Sequence, residues 1–325
     1  MAVDEAARYP AMEFAGSSKQ SACAVFMVRP AAFRGNPETV DSNAFQACAG
    51  TGSADCHHEA LAEFETLVET LLHEGVRVHI GADTARPVKP DACFPNNWVS
   101  FHDDGVVVLY PMHAPSRRLE RRAELLEDLA TRGGYLVSRT VDLTAWEQHG
   151  MFLEGTGSMV LDRVHRVAYA CRSPRTMLCP LNDFAERCGY EALTFEATDA
   201  AGRPIYHTNV MMSLAGDFAA LCLDALPGVN ERQVLCSRLE ETGHDLLILR
   251  IEQIHEFAGN MLALENGRGD PLVVLSSRAR AALTADQRTF LERRASIVSC
   301  DVATIERIGG GSVRCMLAEV FLPRR

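Results

Sequence analysis

A helix followed at once by a short β-branched strand recurs five times along the chain, and that repetition restricts the fold more than any other feature. The pairs are HEALAEFETLVETLLHEG with VRVHI (58–80), RRLERRAELLEDLATRGG with YLVSR (117–139), NDFAERCG with YEALTF (182–195), ERQVLCSRLEETG with LLILR (231–250) and ADQRTFLERR with SIVSC (285–300). Strand centres lie about fifty to sixty residues apart, within the range of repeated supersecondary units. Ser116, Asn182, Asn230 and Thr284 stand at expected N-cap positions, the last two followed at the third position by Gln233 and Gln287. Gly75, Gly133, Gly189 and Gly243 close helices, where a left-handed residue is needed.

Hairpins with equally regular spacing separate these units: NNWVSF through HDDG into VVVLY, GSMVL through DRVH into RVAYA, NVMMS through AGD into FAALC, and NMLAL through ENGRGD into LVVL. Each is a pair of apolar strands around a polar turn. Four hairpins serve five helices, and the fifth hairpin is assembled from the two ends, CAVFMV pairing with SVRCMLAEVF. That closure removes exposed sheet edges. It also explains how 325 residues with no Pro/Gly/Ser-rich linker form one domain. The expected fold is α/β, a five-bladed propeller of five ββαβ modules around a pseudo-fivefold axis. It spans 21–325, with 1–20 a flexible N-terminus.

The formal net charge of -11 disfavours nucleic acid or an anionic membrane as partner, because phosphate binding needs a concentrated basic surface. A small-molecule substrate fits better, and the composition suits a monomer or a homo-oligomer. The eleven cysteines are odd in number. The pairs Cys48/Cys56 and Cys171/Cys179 are too widely spaced for CxxC motifs, so they read as reduced thiols of a cytoplasmic protein. The N-terminus lacks a basic flank followed by an apolar stretch, and no later segment reaches the length of a membrane span.

Equivalent ends of modules in a closed ring converge on its axis. At the head of the first strand of successive hairpins lie Asn96 and Asn97, Glu154, His207 and Asn209, Glu256 and Asn260, and Cys315. A thiol, an imidazole, a carboxylate and several amides therefore meet in one cavity. Cys315 ends the run GGGSVRC, whose glycines let backbone approach a ligand and whose Arg314 supplies a neighbouring positive charge that favours the thiolate.

This arrangement resembles the guanidine-modifying enzyme superfamily, the pentein fold of arginine deiminases, dimethylarginine hydrolases and amidinotransferases. The resemblance covers nearly the whole chain and rests on DACFPNN (91–97), LEGTGSMVL around Glu154, YHTN around His207, SPRT (173–176) and GGGSVRCM around Cys315. It implies Cys315 as nucleophile, His207 as acid/base, and Glu154 as partner of histidine and substrate. Arg175 in SPRT matches an arginine that holds a substrate α-carboxylate in related hydrolases. The resemblance extends, through MVRPAAFRGNPET and SNAFQ, to the subfamily named as citrulline utilisation hydrolases, also loosely labelled amidinotransferases.

One departure bears on the substrate. Arginine deiminases set two aspartates against the guanidinium, and the matching positions here are Asn97 and Asn209. A guanidinium stays charged, so burying it without those carboxylates costs roughly 3 to 5 kcal/mol, or about two to four decades in affinity. A ureido group is the neutral planar counterpart, and asparagine offers it both a carbonyl and an NH₂. The expected reaction is hydrolysis of a ureido amino acid, L-citrulline to L-ornithine, CO2 and NH3, through an S-linked intermediate and without metal or cofactor. The alternatives are a guanidino substrate paired by another acid, as in a deiminase or dihydrolase, an amidinotransferase, or a non-catalytic binding protein of the same fold.

Other polar residues carry smaller expectations. Asp91 belongs to the substrate side as a cap or buttress of its loop. Arg117 and Arg118 open a helix and read as solvated. His57 and His58 read as a helix-start face instead of a metal site, because no second ligand pair follows them at usable spacing. His102, His113 and His165 read as turn residues.

Overall fold

The computed structural model describes residues 19–46 and 54–325. The N-terminal segment assigned to 1–20 thus lies, up to residue 18, outside the described residues, as does Cys48. The architecture is mixed α/β, with five three-stranded sheets that all use one pattern. A short first strand pairs antiparallel with a middle strand, which pairs parallel with a third reached through a helix.

In chain order, β1 (Ala24–Arg29) lies parallel to β2 (Arg77–Ala82) across the helix Ala54–His73. The hairpin β3 (Val99–Phe101) and β4 (Val106–Leu109) is followed by the helix Ala123–Gly133 and β5 (Arg139–Asp142). The next sheet joins β6 (Val160–Asp162), β7 (Val167–Cys171) and β8 (Glu191–Phe195). The fourth joins β9 (Met212–Leu214), β10 (Phe218–Leu221) and β11 (Asp245–Ile248). The fifth joins β12 (Leu262–Glu265), β13 (Pro271–Ser276) and β14 (Ser296–Cys300). Finally β15 (Ala318–Glu319) returns to β1, with Val25 opposite Glu319 and Phe26 opposite Ala318. The two chain ends therefore build one sheet, and residues almost three hundred positions apart share a ladder.

Middle strands are buried on both faces, as the all-apolar runs AVFMV, VVV and VAYAC require. Phe26 meets Trp98 and Phe101 edge-on, with ring centroids 6.3 and 6.0 Å apart, which ties β1 to the neighbouring sheet.

The helix boundaries correct the sequence reading. Only Thr284 caps as expected: its hydroxyl accepts from the Gln287 N–H, and Gln287 reaches back to the Thr284 N–H. Asn182 and Asn230 lie inside helices that begin at Leu178 and Val229, and Ser116 sits within the short helix Pro115–Arg118. Capping chemistry near a helix start does not by itself locate the first turn when earlier apolar residues also pack. YLVSR enters its sheet only from Arg139, because Tyr135 and Leu136 bond to the C-terminal segment at Arg324 and Pro323. His102 is buried and shares a hydrogen bond with the Ser100 hydroxyl, so burial pushes its pKa well down.

Phe26→Ala leaves a cavity between two sheets. It is expected to reduce unfolding free energy by about 3 to 5 kcal/mol in urea titration, the range for a buried aromatic.

Candidate active site

Short helical turns stand directly before the first strands of the sheets: Pro95–Asn97 before β3, Gly155–Ser158 before β6, Thr208–Val210 before β9, and Val313–Met316 before β15. The turn at 95–97 packs on those at 155–158 and 313–316, and the turn at 155–158 packs on that at 208–210. Glycine permits this closeness. A Cβ on Gly155 would overlap the Asn96 carbonyl, and one on Gly157 would overlap the Asn97 amide and the His207 ring. The EGTG run is thus a floor against which an amide and an imidazole lie flat.

Cys315, His207, Asn97, Asp91 and Arg175 line one cavity, with Arg117, Thr39, Asn43, Phe94, Tyr206 and the glycines 309–311. Glu154 lies behind His207, its Oε2 2.9 Å from His207 Nε2, while its Oε1 accepts from the His113 N–H at 3.0 Å. Arg175 and Arg117 approach the same Oε2 at 3.6 and 3.9 Å. Burial alone would raise the Glu154 pKa. Arg175, His207 and Arg117 overcome it and hold the group well below the ordinary carboxylate range. Burial likewise withholds a second proton from His207, whose pKa falls to about 4 despite the carboxylate. Near neutral pH the pair is therefore an ionised carboxylate and a neutral imidazole. A carboxylate only accepts, so Nε2 carries the hydrogen and Nδ1 is the basic atom.

Asn97 and Asn209 present opposite chemistries. Arg117 donates to Asn97 Oδ1 at 2.8 Å, and the Asn97 NH₂ is buried with no partner among the described residues. Asn209 directs its NH₂ toward Cys315 Sγ at 3.6 Å, and its Oδ1 is buried without a partner. One free donor and one free acceptor thus stand at the two amide positions.

Arg117, expected in solvent, is 3% exposed. Its Nε and one terminal nitrogen grip Glu120 at 3.0 Å each, and it also bonds to the Phe94 carbonyl. Burial lifts Glu120 to about 7 although Arg117 opposes the shift. The helix-opening position misled the sequence reading, because that helix is four residues long and Arg117 is the residue it buries. Asp91 buttresses its loop as expected, accepting from Asn36 at 2.7 Å. Its second oxygen, however, is buried and unpartnered, and burial raises the group's pKa. Arg175 donates to the Thr39 carbonyl and to Ser42 Oγ at 2.6 Å, which leaves its Nε without a partner.

Two expected neighbours point elsewhere. Glu256 pairs with exposed Arg278, outside the cavity. The Arg314 guanidinium turns to the Leu317 carbonyl and to Glu319 at 2.9 Å, so its charge is neutralised away from the thiol. Asn260, for which the sequence suggested no role, is 1% exposed and directs its NH₂ to Cys315 Sγ at 3.4 Å.

Solved structures with the same fold include ArgZ, an arginine dihydrolase from the ornithine–ammonia cycle in cyanobacteria. It has 16% identity and a TM-score of 0.72, with 93% of this chain and 41% of that chain covered. The chain thus spans about two fifths of the full ArgZ length. The product-bound N-terminal domain of ArgZ alone is 17% identical with a TM-score of 0.71, covering 92% of this chain and 99% of that one. A dimethylarginine dimethylaminohydrolase variant in adduct with S-methyl-L-thiocitrulline is 15% identical with a TM-score of 0.60, covering 93% and 99%. No curated protein sequence matches significantly. The chain is a member of the guanidine-modifying, pentein superfamily. Within it the chain belongs to the family described as N,N dimethylarginine dimethylhydrolase, eukaryotic, whose model matches residues 29–322.

The His207–Glu154 pair makes stability pH-dependent. From pH 6.5 down to about 4 the unfolded chain takes up a His207 proton that the native state refuses, so stability falls across that window. Below the ordinary carboxylate value of 4.5, Glu154 adds to the loss, because its native pKa is depressed. Urea unfolding at about pH 7 and about pH 5 is expected to show a smaller drop in His207→Gln than in wild type.

Proposed function

We propose that this enzyme hydrolyses the ureido group of a citrulline-type amino acid to ornithine, carbon dioxide and ammonia, with Cys315 as nucleophile. The observation that carries this reading is that the Asn97 NH₂ and the Asn209 Oδ1 are each buried without a partner, the first on a residue that lines the cavity, the second on a residue whose NH₂ lies 3.6 Å from Cys315 Sγ. A ureido head has one carbonyl oxygen to accept from the first and N–H groups to donate to the second. A guanidinium has only donors and would set N–H groups against the Asn97 NH₂.

In this reading His207 Nδ1 takes the thiol proton as the sulfur–carbon bond forms. It gives that proton to the departing nitrogen as one carbon–nitrogen bond breaks. Neutral again, it takes a proton from the water that attacks the S-linked carbon. The sulfur leaves and recovers its proton from His207, and the carbamic acid released breaks down to carbon dioxide and the second amine. Glu154 keeps Nε2 protonated throughout and so keeps Nδ1 reactive. The Asn97 NH₂ also faces the oxyanion, a contact worth on the order of 3 kcal/mol. Arg175, with Nε open, suits the substrate α-carboxylate, and the open oxygen of Asp91 suits the α-ammonium.

A second reading starts from arginine and passes through the ureido compound. The likeness to an arginine dihydrolase supports it, as do the Asp91 carboxylate at the cavity and the Glu154 carboxylate behind His207. Both readings use one ureido-hydrolysing site. The pattern common to the five sheets supports a pseudo-fivefold propeller of five ββαβ modules, with 21–325 as its single catalytic domain. On charge and cysteine pattern we assign the protein to the cytoplasm.

Purified protein supplied separately with citrulline, arginine and succinylarginine is expected to release ornithine and ammonia from citrulline. Cys315→Ser should release neither. Brisk consumption of arginine with citrulline untouched would reject the ureido reading, and product formation only with added glycine or lysine would indicate transfer. Asn97→Asp is expected to lower citrulline kcat/KM by about a hundredfold, because it replaces the donor to the carbonyl with a repelling charge.

A further inference from the structure

We infer that Asn260 is the principal donor to the Cys315 sulfur and steadies the negative charge that forms there as His207 takes the thiol proton, a task the sequence pattern would give to Arg314. The inference rests on Cys315 being the nucleophile. The side chain of Asn260 is fully committed: Oδ1 accepts from the Arg314 backbone N–H at 3.1 Å, and Nδ2 donates to the Asn209 carbonyl at 3.1 Å and to Cys315 Sγ at 3.4 Å. Its orientation is dictated by the Arg314 N–H, a donor that an NH₂ could not face. The reverse flip would set donor against donor at the Arg314 N–H and acceptor against acceptor at the Asn209 carbonyl, so these two backbone contacts turn the NH₂ toward the sulfur.

The charged and titratable groups around the cavity leave this task to amides. Arg117 spends its donors on Glu120, Asn97 and Phe94, and Arg175 bonds to Thr39 and Ser42. His207 is neutral with its one N–H on Glu154, and Asp91 is an acid that would oppose a thiolate. The Tyr206 hydroxyl donates to the Gly310 carbonyl. Among the described residues, hydrogen bonds to Sγ come only from Asn260 and, at 3.6 Å, from Asn209. Such bonds strengthen as the acceptor gains negative charge, so two amide donors stabilise the sulfur while it attacks without placing a cation beside the substrate head.

The test is alkylation of Cys315 by iodoacetamide in the full-length protein, read by peptide mass spectrometry, with exposed Cys179 as internal control. Asn260→Ala removes the donor. Asn260→Asp removes it too but keeps an oxygen for the Arg314 N–H, which preserves the structural tie. In either folded variant, alkylation at about pH 7.5 is expected to slow about tenfold at Cys315 and to stay unchanged at Cys179. At about pH 9.5, where hydroxide is about a hundredfold more abundant and can itself remove a thiol proton, the difference should shrink to about twofold. An unchanged rate at the lower pH, or an equal slowing at both, overturns the inference, since a purely structural role would not depend on pH. Substrate is absent from this assay, so its failure is distinct from failure of the ureido reading. That reading is decided by turnover of citrulline and by Cys315→Ser.

Discussion

A single buried carboxylate organises the cavity. Glu154 is wholly removed from solvent, yet His207 bonds to it and two guanidiniums stand within 4 Å. An ionised carboxylate at such a depth would cost several kcal/mol without that company. The company in turn is held by further groups, Arg117 by Glu120 and Arg175 by the 39–42 loop. The charge of Glu154 assigns the histidine tautomer, and the tautomer assigns which nitrogen can act. Removing Arg117 or Arg175 takes a counter-charge from Glu154, and removing His207 takes its 2.9 Å hydrogen bond, so each member depends on the others.

The same cluster sets the character of the substrate end. Because Arg117 donates to Asn97 Oδ1, the amide shows its hydrogens to the cavity instead of its oxygen. An aspartate at that position would present acceptors on every side, and the preference for a cation would follow. The chemistry of recognition therefore depends on which way an amide is turned, and a guanidinium two side chains removed from the thiol decides the turn. Asn209 and Asn260 extend this logic to the sulfur, where amide hydrogens stand in place of a positive charge.

Legibility from sequence followed the range of the forces involved. The strand pairs and their turns were readable because short continuous apolar runs and polar turn residues are local signals. Even the pairing of the chain ends could be anticipated by counting an unmatched strand, and β15 does lie antiparallel to β1. Helix starts were less readable: Asn182 and Asn230 have capping chemistry but sit inside helices whose first turns are set by packing. Tyr135 and Leu136 read as strand, but the C-terminal segment competes for their backbone groups. Asn260 was legible as an axial residue without a role, and the partners of Arg117 and Arg314 were not legible, because a long or polar side chain chooses its partner from what the fold brings near.

Motif spacing alone determined which residue types gather: a cysteine, a histidine, a glutamate and amides at equivalent ends of repeated units. Tertiary structure decided what those residues are chemically, namely a neutral imidazole with a known tautomer, one amide turned as donor, one as acceptor, and a sulfur served by Asn260. The physical reason is that protonation and amide orientation depend on burial and on charges within a few ångströms, and such neighbours come from segments up to two hundred residues away in the chain.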